Sequence, residues 1–342
     1  MGHRQFIERL VIAIGVLGFA ALLWHLRGLV ILVFGAVLVA VILSIVAEPV
    51  RERLRLPSGL ALLVAILIVL GGFLGAFWMF GAQVAAQASQ LGEMVPAAWE
   101  AALAMFDRWG IGDMVRRGVD EIAVGSGMIS NLGGIALSVG AGITDAVLII
   151  VGGIYLAAQP ALYREGLIKL FPPRARPLAG EAIGDSGRAL RLWLIGQLVS
   201  MTLVGLLTGL GLWLLGVPSA LALGIIAGIL EFVPYVGPIA ASFPAILVAL
   251  AVSPELALWT ALLYLLVQQA EGNLIQPLVQ QRAVDLPPAL LLFALVASGA
   301  LFGIVGVLVA APLTVVLYVL VKRLYVREAL HTPTTLPGEE TG

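Results

Sequence analysis

No cysteine occurs among the 342 residues. Disulfides, thiolate metal sites and cysteine nucleophiles are therefore excluded, and the redox compartment stays open. Histidine is scarce. His3, His25 and His331 all sit at segment ends, which argues against a histidine-built metal centre. Charge is scarce too: Asp, Glu, Lys and Arg make up 11% of the chain, against roughly 25% in an ordinary soluble domain. The net charge of −1 offers no footprint for nucleic acid or for a strongly acidic partner. No G-x-x-x-x-G-K-[ST] loop is present, so ATP-driven pumping within this chain is not expected. No metal, nucleotide or nucleophile–base signature appears, so neither a cofactor nor enzymatic activity is expected.

What the chain does have is apolar surface. Hydrophobic residues make up 61% of it, and the mean hydropathy is +1.08. No water-soluble fold hides that much, so lipid must be the solvent for much of the chain. The expectation is an all-α polytopic integral membrane protein. A spanning helix needs about 20 mostly apolar residues, and about eight runs qualify on that count. They are Phe6–Trp24, Leu29–Ala47, Gly59–Phe80, Leu132–Ala158, Leu190–Leu215, Ser219–Val252, Leu256–Leu278 and Pro288–Val321. The first is long enough to span and lacks a small-residue cleavage site, which predicts a retained anchor. The sixth is too long for one plain span.

Basic residues set the orientation. Arg4 and Arg9 flank the first run, Arg51, Arg53 and Arg55 follow the second, Arg164 to Arg188 follow the fourth, and Lys322, Arg323 and Arg327 follow the eighth. All four groups lie on one side if both termini are cytoplasmic. The expected divisions are then 1–80 for the first three spans, 81–131 for an extracytoplasmic amphipathic helical segment, 132–158 for the fourth span and 159–189 for a cytoplasmic loop. A motif-bearing membrane domain, 190–325, follows, and then a disordered tail, 326–342. Pro172, Pro173 and Pro177 mark the main internal boundary.

Two stretches stand out. Gly228–Pro238 places Glu231, Pro234, Tyr235, Gly237 and Pro238 inside a hydrophobic run. Proline lacks the N–H and obstructs the preceding turn, so the helix should break near residues 228–240. Freed carbonyls cannot face lipid, so they line a cavity or are buried in protein. The break divides Leu221–Val252 into two half-helices or a re-entrant hairpin; the bland alternative is a kink that only shapes packing. Glu231 is a carboxylate in the bilayer, where charge costs several kcal/mol unless paired, hydrated or protonated. It suits cation binding, proton relay or a hydrogen bond to solute; the alternative is a cap that accepts from free N–H groups.

The second stretch is Gln268–Pro277, continuing to Arg282. On an ideal helix Gln269, Asn273, Gln276 and Gln280 share a face while Glu271 points the other way. A polar strip of this kind lines a solute path, or serves as interhelical glue. Glu231 and Glu271 form the one plausible intramembrane acid pair. Lesser candidates are Asp145 and Glu48, the latter expected to pair with the adjacent Arg51–Arg55 cluster. Gly299, Gly303 and Gly306 fall on one face of the eighth run, a generic packing surface.

These stretches resemble the autoinducer-2 exporter (PerM-like permease) family of bacterial membrane transporters. Leu230–Pro238 is similar to its characteristic motif. The Gln268–Pro277 stretch matches through Asn273 and Pro277, Val284–Pro288 resembles a Val-Gly-Leu-x-Pro element, and Gly299–Leu313 resembles the last-span signature. Asp285 stands where the family has glycine, adding an acid near a possible gate. The resemblance is strong over Leu190–Arg323 and weak in sequence before it. It implies an inner-membrane permease with about eight spans, a homo-oligomer, specifically a pentamer, and export of small signalling molecules in some members with sodium/proton exchange in others. The expected function is therefore secondary export of a small polar solute, an autoinducer-2-like molecule among the candidates, with Na⁺ or H⁺ as coupling ion. The alternatives are a sodium/proton antiporter and a non-transporting membrane scaffold. The expected partners are membrane lipid, the solute and further copies of the chain.

Overall fold

The computed structural model describes residues 25–75, 132–275 and 286–335, with Trp78, Asp107, Asp113 and Pro337 as isolated positions. The expected first span, almost all of the 81–131 segment, and Gln276, Pro277 and Arg282 lie outside the described residues. Within them the chain is helical and contains no strand, as a chain bathed in lipid must be unless it closes a barrel.

Helix α1 (Arg27–Leu54) ends at Arg55 in a left-handed conformation, and α2 covers Ser58–Gly75. Helix α3 (Leu132–Ala158) packs on α1 through small residues: Gly152 stacks on Ala36, and a methyl group on Gly153 would come within 2.6 Å of Val39. At Gln159 the chain turns by 92° into α4 (Pro160–Lys169). The stretch 159–189, expected as a loop, is thus largely helical: α4, a 3₁₀ turn at Pro173–Ala175, and the beginning of α5. Helix α5 (Arg176–Leu214) has 39 residues, about 58 Å at 1.5 Å per residue. That exceeds the hydrocarbon thickness of about 30 Å, so its charged first third projects beyond the apolar zone.

Two helical hairpins fold against this long helix. In the first, α6 (Ala220–Leu230) and α7 (Val236–Val252) run antiparallel. Leu223 and Ala227 pack on Ala241, Ala245 and Ala249 in one buried cluster. Neither arm is long enough to cross alone: 11 and 17 residues give about 16 and 26 Å. Glycine lets α6 lie almost on the backbone of α5. A methyl group on Gly224 would come 2.5 Å from the Cα of Gly209, and one on Gly228 2.7 Å from the Met201 carbonyl. The two glycine pairs in the sequence, 205/209 and 224/228, are the two sides of one contact. The chain then turns through Ser253 into α8 (Pro254–Ala270), whose first turn is capped by the Ser253 hydroxyl accepting from Leu256 N at 3.1 Å. A π-helical turn, Glu271–Ile275, continues it.

The second hairpin corrects an expectation. Pro288–Leu320 (α9) is apolar enough to pass for one long span, but it is not straight. Gly303 adopts φ 65°, ψ −146°, a conformation open to glycine alone. The arms 288–302 and 304–320 fold back on each other there. Leu295 clusters with Val307 and Ala310, and the Ser298 carbonyl would collide with any side chain at Gly306. In a straight helix Ser298 and Gly306 would be about 12 Å apart. Gly299, Gly303 and Gly306 therefore do not form one face: Gly303 is the turn, and Gly299 and Gly306 belong to opposite arms. Four helices satisfy length and apolarity for a span among the described residues, or five with the bent α3–α4 pair; α9 meets that test only if its fold-back is ignored. The sixth and eighth expected spans are hairpins. A π-helical stretch, Val321–Ala329, extends α9 into the region expected to be a disordered tail.

The hairpins enter from opposite ends. The bases of the first, Ser219 and Ser253, lie at the Leu214 end of α5. Those of the second lie at the other end, where Leu286 and Val319 pack on Ala189 and Arg323 bonds Glu181. Their inner parts meet: Val233 packs on Leu295 and Ala310, and Phe232 joins the cluster of Phe302 and Val305.

The absence of cysteine allows single-cysteine labelling. Ser219→Cys and Ser253→Cys are expected to react with an impermeant maleimide from the same side of the membrane, and Leu286→Cys and Leu330→Cys from the other. Labelling of Ser219→Cys and Ser253→Cys from opposite sides would mean a true span and refute the hairpin. For packing, Gly224→Leu is expected to abolish the monodisperse protein in detergent, whereas Gly142→Leu, where a Cβ meets nothing within 4 Å, is tolerated.

Candidate functional site

The tip of the first hairpin carries the site. Most of its N–H groups bond within the tip: Phe232 N donates to Ile229 O at 3.2 Å, Val233 N to Leu230 O at 3.0 Å, Val236 N to Pro234 O at 2.8 Å, and Gly237 N to Val233 O at 2.8 Å. Pro234 needs no acceptor, having no N–H. Tyr235 takes φ 66° to reverse the chain. Gly237 packs so closely on the Leu230 carbonyl that a side chain there would overlap it. Pro238 sits in the first turn of α7, where its missing N–H costs nothing.

The Glu231 carbonyl, freed by the break, accepts from Gln197 Nε2 of α5 at 2.6 Å. That bond pins the tip to the long helix. The Glu231 side chain is buried to 1% exposure, and its Oε2 has no hydrogen-bond partner among the described residues. It is not a helix cap, because the nearby N–H groups already donate to backbone carbonyls. It faces the Glu271 carboxyl within hydrogen-bonding reach. Glu271, 6% exposed, in turn accepts from Gln268 Nε2 at 3.0 Å. Two carboxyl groups thus converge from the hairpin tip and from the π-helical turn after α8, with amides bound behind them.

The depth of the site follows from α5. Gln197 is about 9 Å along the helix from Arg191 and about 26 Å from Leu214. The acid pair therefore lies nearer the basic end.

The structure sorts the sequence candidates. Glu231 and Glu271 come together. Pro234, Tyr235, Gly237 and Pro238 build the turn, with Tyr235 exposed and Gly237 buried. Gln269 and Asn273 are on the surface and bond each other, Asn273 Nδ2 donating to the Gln269 carbonyl at 3.0 Å and to its Oε1 at 3.2 Å. The expectation places Glu271 at the site together with Gln269 and Asn273; the structure buries Glu271 and leaves both amides exposed. The buried face of α8 instead runs through Thr260, Tyr264, Val267 and Glu271, and the chain widens to a π turn at Glu271. Gln197 and Gln268 were missed. Gln197 gave a signal, a long amide side chain inside the apolar Leu190–Leu215 run; Gln268 was quoted but not placed inward.

Glu48 is also placed differently. It forms a two-pronged ion pair with Arg191 of α5, with Arg191 Nη1 to Glu48 Oε1 at 2.7 Å, while Arg51 of the neighbouring cluster acts on it through charge alone. This pair ties α1 to α5 one and a half turns from Gln197. Asp145 is half-buried on α3.

A family model described as AI-2E family transporter matches residues 11–325. YrrI of Bacillus subtilis, provisionally named a transport protein, is 28% identical over 319 residues, covering 87% of this chain and 89% of its own. A provisionally named transport protein of Mycobacterium tuberculosis is 37% identical over 186 residues, 52% of this chain and 50% of its own. PerM of Escherichia coli K12, provisionally named a permease, is 29% identical over 143 residues, 41% of this chain and 40% of its own.

The Glu48–Arg191 pair is half-exposed, and pairs of that kind couple by about 0.2–1 kcal/mol. Arg191→Lys keeps the charge but loses the fork, and is expected to lower the detergent melting temperature by a few degrees. The swap Glu48→Arg with Arg191→Glu should recover part of that loss. A swap no better than the sum of its single changes would show the pair to be uncoupled.

Proposed function

The chain belongs to the AI-2E transporter family, and on that premise we propose that it is a secondary membrane carrier exporting a small polar solute, with Glu231 as the binding or coupling group. The observation that supports it most directly is the Glu231 carboxyl: fully buried at the tip of a broken membrane helix, in contact with a second acid, and with one oxygen unpartnered. Membrane proteins retain such groups where ions or substrates pass, because an unsatisfied carboxyl in hydrocarbon is otherwise costly. Broken helices meeting near mid-membrane are how carriers build a binding site between moving parts.

In this reading the Gln197 bond holds the tip in register, the Gln268 bond orients Glu271, and the free oxygen of Glu231 is offered to solute or cation. Hydroxyl-rich solutes, an autoinducer-2-like furanone among them, suit a carboxyl–amide surface that both donates and accepts. Gln269 and Asn273, exposed close by in sequence, belong to the approach to this site. The carrier sits in the cytoplasmic membrane with its basic end and both termini on the cytoplasmic side. It assembles as a homo-oligomer, a pentamer by family resemblance, and performs no covalent chemistry.

A second reading, sodium/proton exchange, is favoured by the Glu231–Glu271 contact itself. Two carboxyls at hydrogen-bonding reach compete for one proton or one cation. A scaffold without transport leaves that buried pair without a purpose.

The test is flux in proteoliposomes holding wild type or Glu231→Gln, under imposed pH and sodium gradients, with a furanone inside. Furanone efflux is expected to fall by at least about tenfold in the variant, equivalent to about 1.4 kcal/mol, while the elution profile stays unchanged. Wild-type efflux from Glu231→Gln would remove Glu231 from the path. Sodium-driven proton movement without furanone efflux would replace the exporter by the antiporter.

A further inference from the structure

At its basic end the molecule has a pocket separate from the Glu231–Glu271 site. A cavity of about 590 Å³ opens between α4, the start of α5 and the segment after α9. Four guanidiniums surround it: Arg164, Arg176, Arg188 and Arg323. Two carboxylates accompany them and are already engaged. Glu181 pairs with Arg323, and Asp185 lies 3.7 Å from Arg323 Nε and 3.6 Å from Arg188 Nη2. Arg164 and Arg176 are held differently. Arg164 Nη2 donates to the Gly180 carbonyl at 3.1 Å, and Arg176 donates to the carbonyls of Phe171 and Lys169 at 3.1 and 3.4 Å. Carbonyls fix the direction of a guanidinium without cancelling its charge. The cavity therefore carries two more positive groups than negative ones.

Its floor is bare. Gly180 and Gly184 are one turn apart on α5, and the nearest atom to a Cβ on Gly184 would be Arg164 Nη2 at 3.7 Å. One wall is α4, which contributes Arg164 to the lining. Helix α4 leaves the membrane-crossing direction of α3 at 92°, so it lies along the interface. Leu162, Leu167 and, just beyond, Leu170 and Phe171 are exposed apolar side chains beside the arginines. On a helix lying in the interface, exposed apolar side chains reach toward the acyl boundary while the long cationic ones keep their heads at the headgroup level.

We propose that this pocket binds the phosphate of an anionic phospholipid headgroup, with the acyl chains lying against the exposed leucines on and just after α4. Arginine forks match phosphate oxygens in pairs, and basic pockets between membrane helices at this level suit lipid phosphates. The exposed leucines favour a lipid over a free phosphate, which would have no use for them. The inference is independent of the transported solute.

The experiment is native mass spectrometry of the full chain in detergent with added phosphatidylglycerol or phosphatidylcholine. Wild type is expected to retain phosphatidylglycerol preferentially. Arg164→Gln/Arg176→Gln should reduce that preference by roughly ten- to thirtyfold, from the contribution of two basic groups at a surface. Arg53→Gln/Arg55→Gln removes equal charge from the exposed end of α1 and should leave it unchanged. Gly184→Trp, which fills the cavity and keeps every charge, should reduce it as the double variant does, and serves if that variant misfolds. Equal retention of both lipids by wild type, or an unchanged preference in Gly184→Trp, overturns the proposal. Binding of inorganic phosphate at millimolar concentration with no lipid preference overturns the lipid as its occupant.

Discussion

The architecture depends on one constraint: a backbone in hydrocarbon must satisfy every N–H and C=O within protein. Gly228–Pro238 and Gly299–Gly306 break helices in apolar sequence, and each break frees polar groups at membrane depth. The chain answers by turning both breaks into hairpin tips and burying them against one another and against α5. The tip of the first hairpin closes its own N–H groups on Ile229, Leu230 and Val233 and borrows Gln197 for the carbonyl left over. The 39-residue α5 is the structural consequence, since half-helices need a full-length partner to lean on.

The same constraint explains the glycines. Half-helices too short to cross the bilayer gain stability from close packing, because lipid supplies no hydrophobic drive between apolar helices. Gly205 and Gly209 facing Gly224 and Gly228 bring α5 and α6 into backbone contact. Against this tight frame Glu231 is an exception. A buried carboxyl with an unpartnered oxygen costs stability, and local rules of good packing are violated chiefly where function requires it. The Glu231–Glu271 meeting joins two segments that both depart from regular α-helix, one by proline and one by a π turn, which is a common device at functional sites.

Electrostatics organise the opposite requirement, an end that stays in water. Glu48–Arg191 and the Arg323–Glu181–Asp185 group tie α1 and α9 to the first half of α5. These contacts gather the basic groups that follow separate apolar runs into one surface. The result is a collar of ion pairs that fixes one end of the bundle beside α4.

The sequence by itself determined the solvent and the secondary structure. With 61% hydrophobic residues and 11% charged, the chain had to take lipid as its solvent and satisfy its backbone in helices. It also marked where the helix breaks and where a costly buried carboxyl sits, because Glu231 among prolines in an apolar run stands out from composition alone. Hydropathy measures only whether a residue prefers lipid, so it read Pro288–Val321 as one span. A single glycine dihedral at 303 folds that stretch in two, and no composition records a dihedral. The partners were decided by tertiary structure alone. Glu48 bonds Arg191 and not three arginines nearer in sequence, and Gln269 and Asn273, expected beside Glu271 at the site, lie on the surface. Contacts 143 residues apart and a local change of helical pitch lie beyond any pattern of spacing. They depend on which faces the glycines allow to touch.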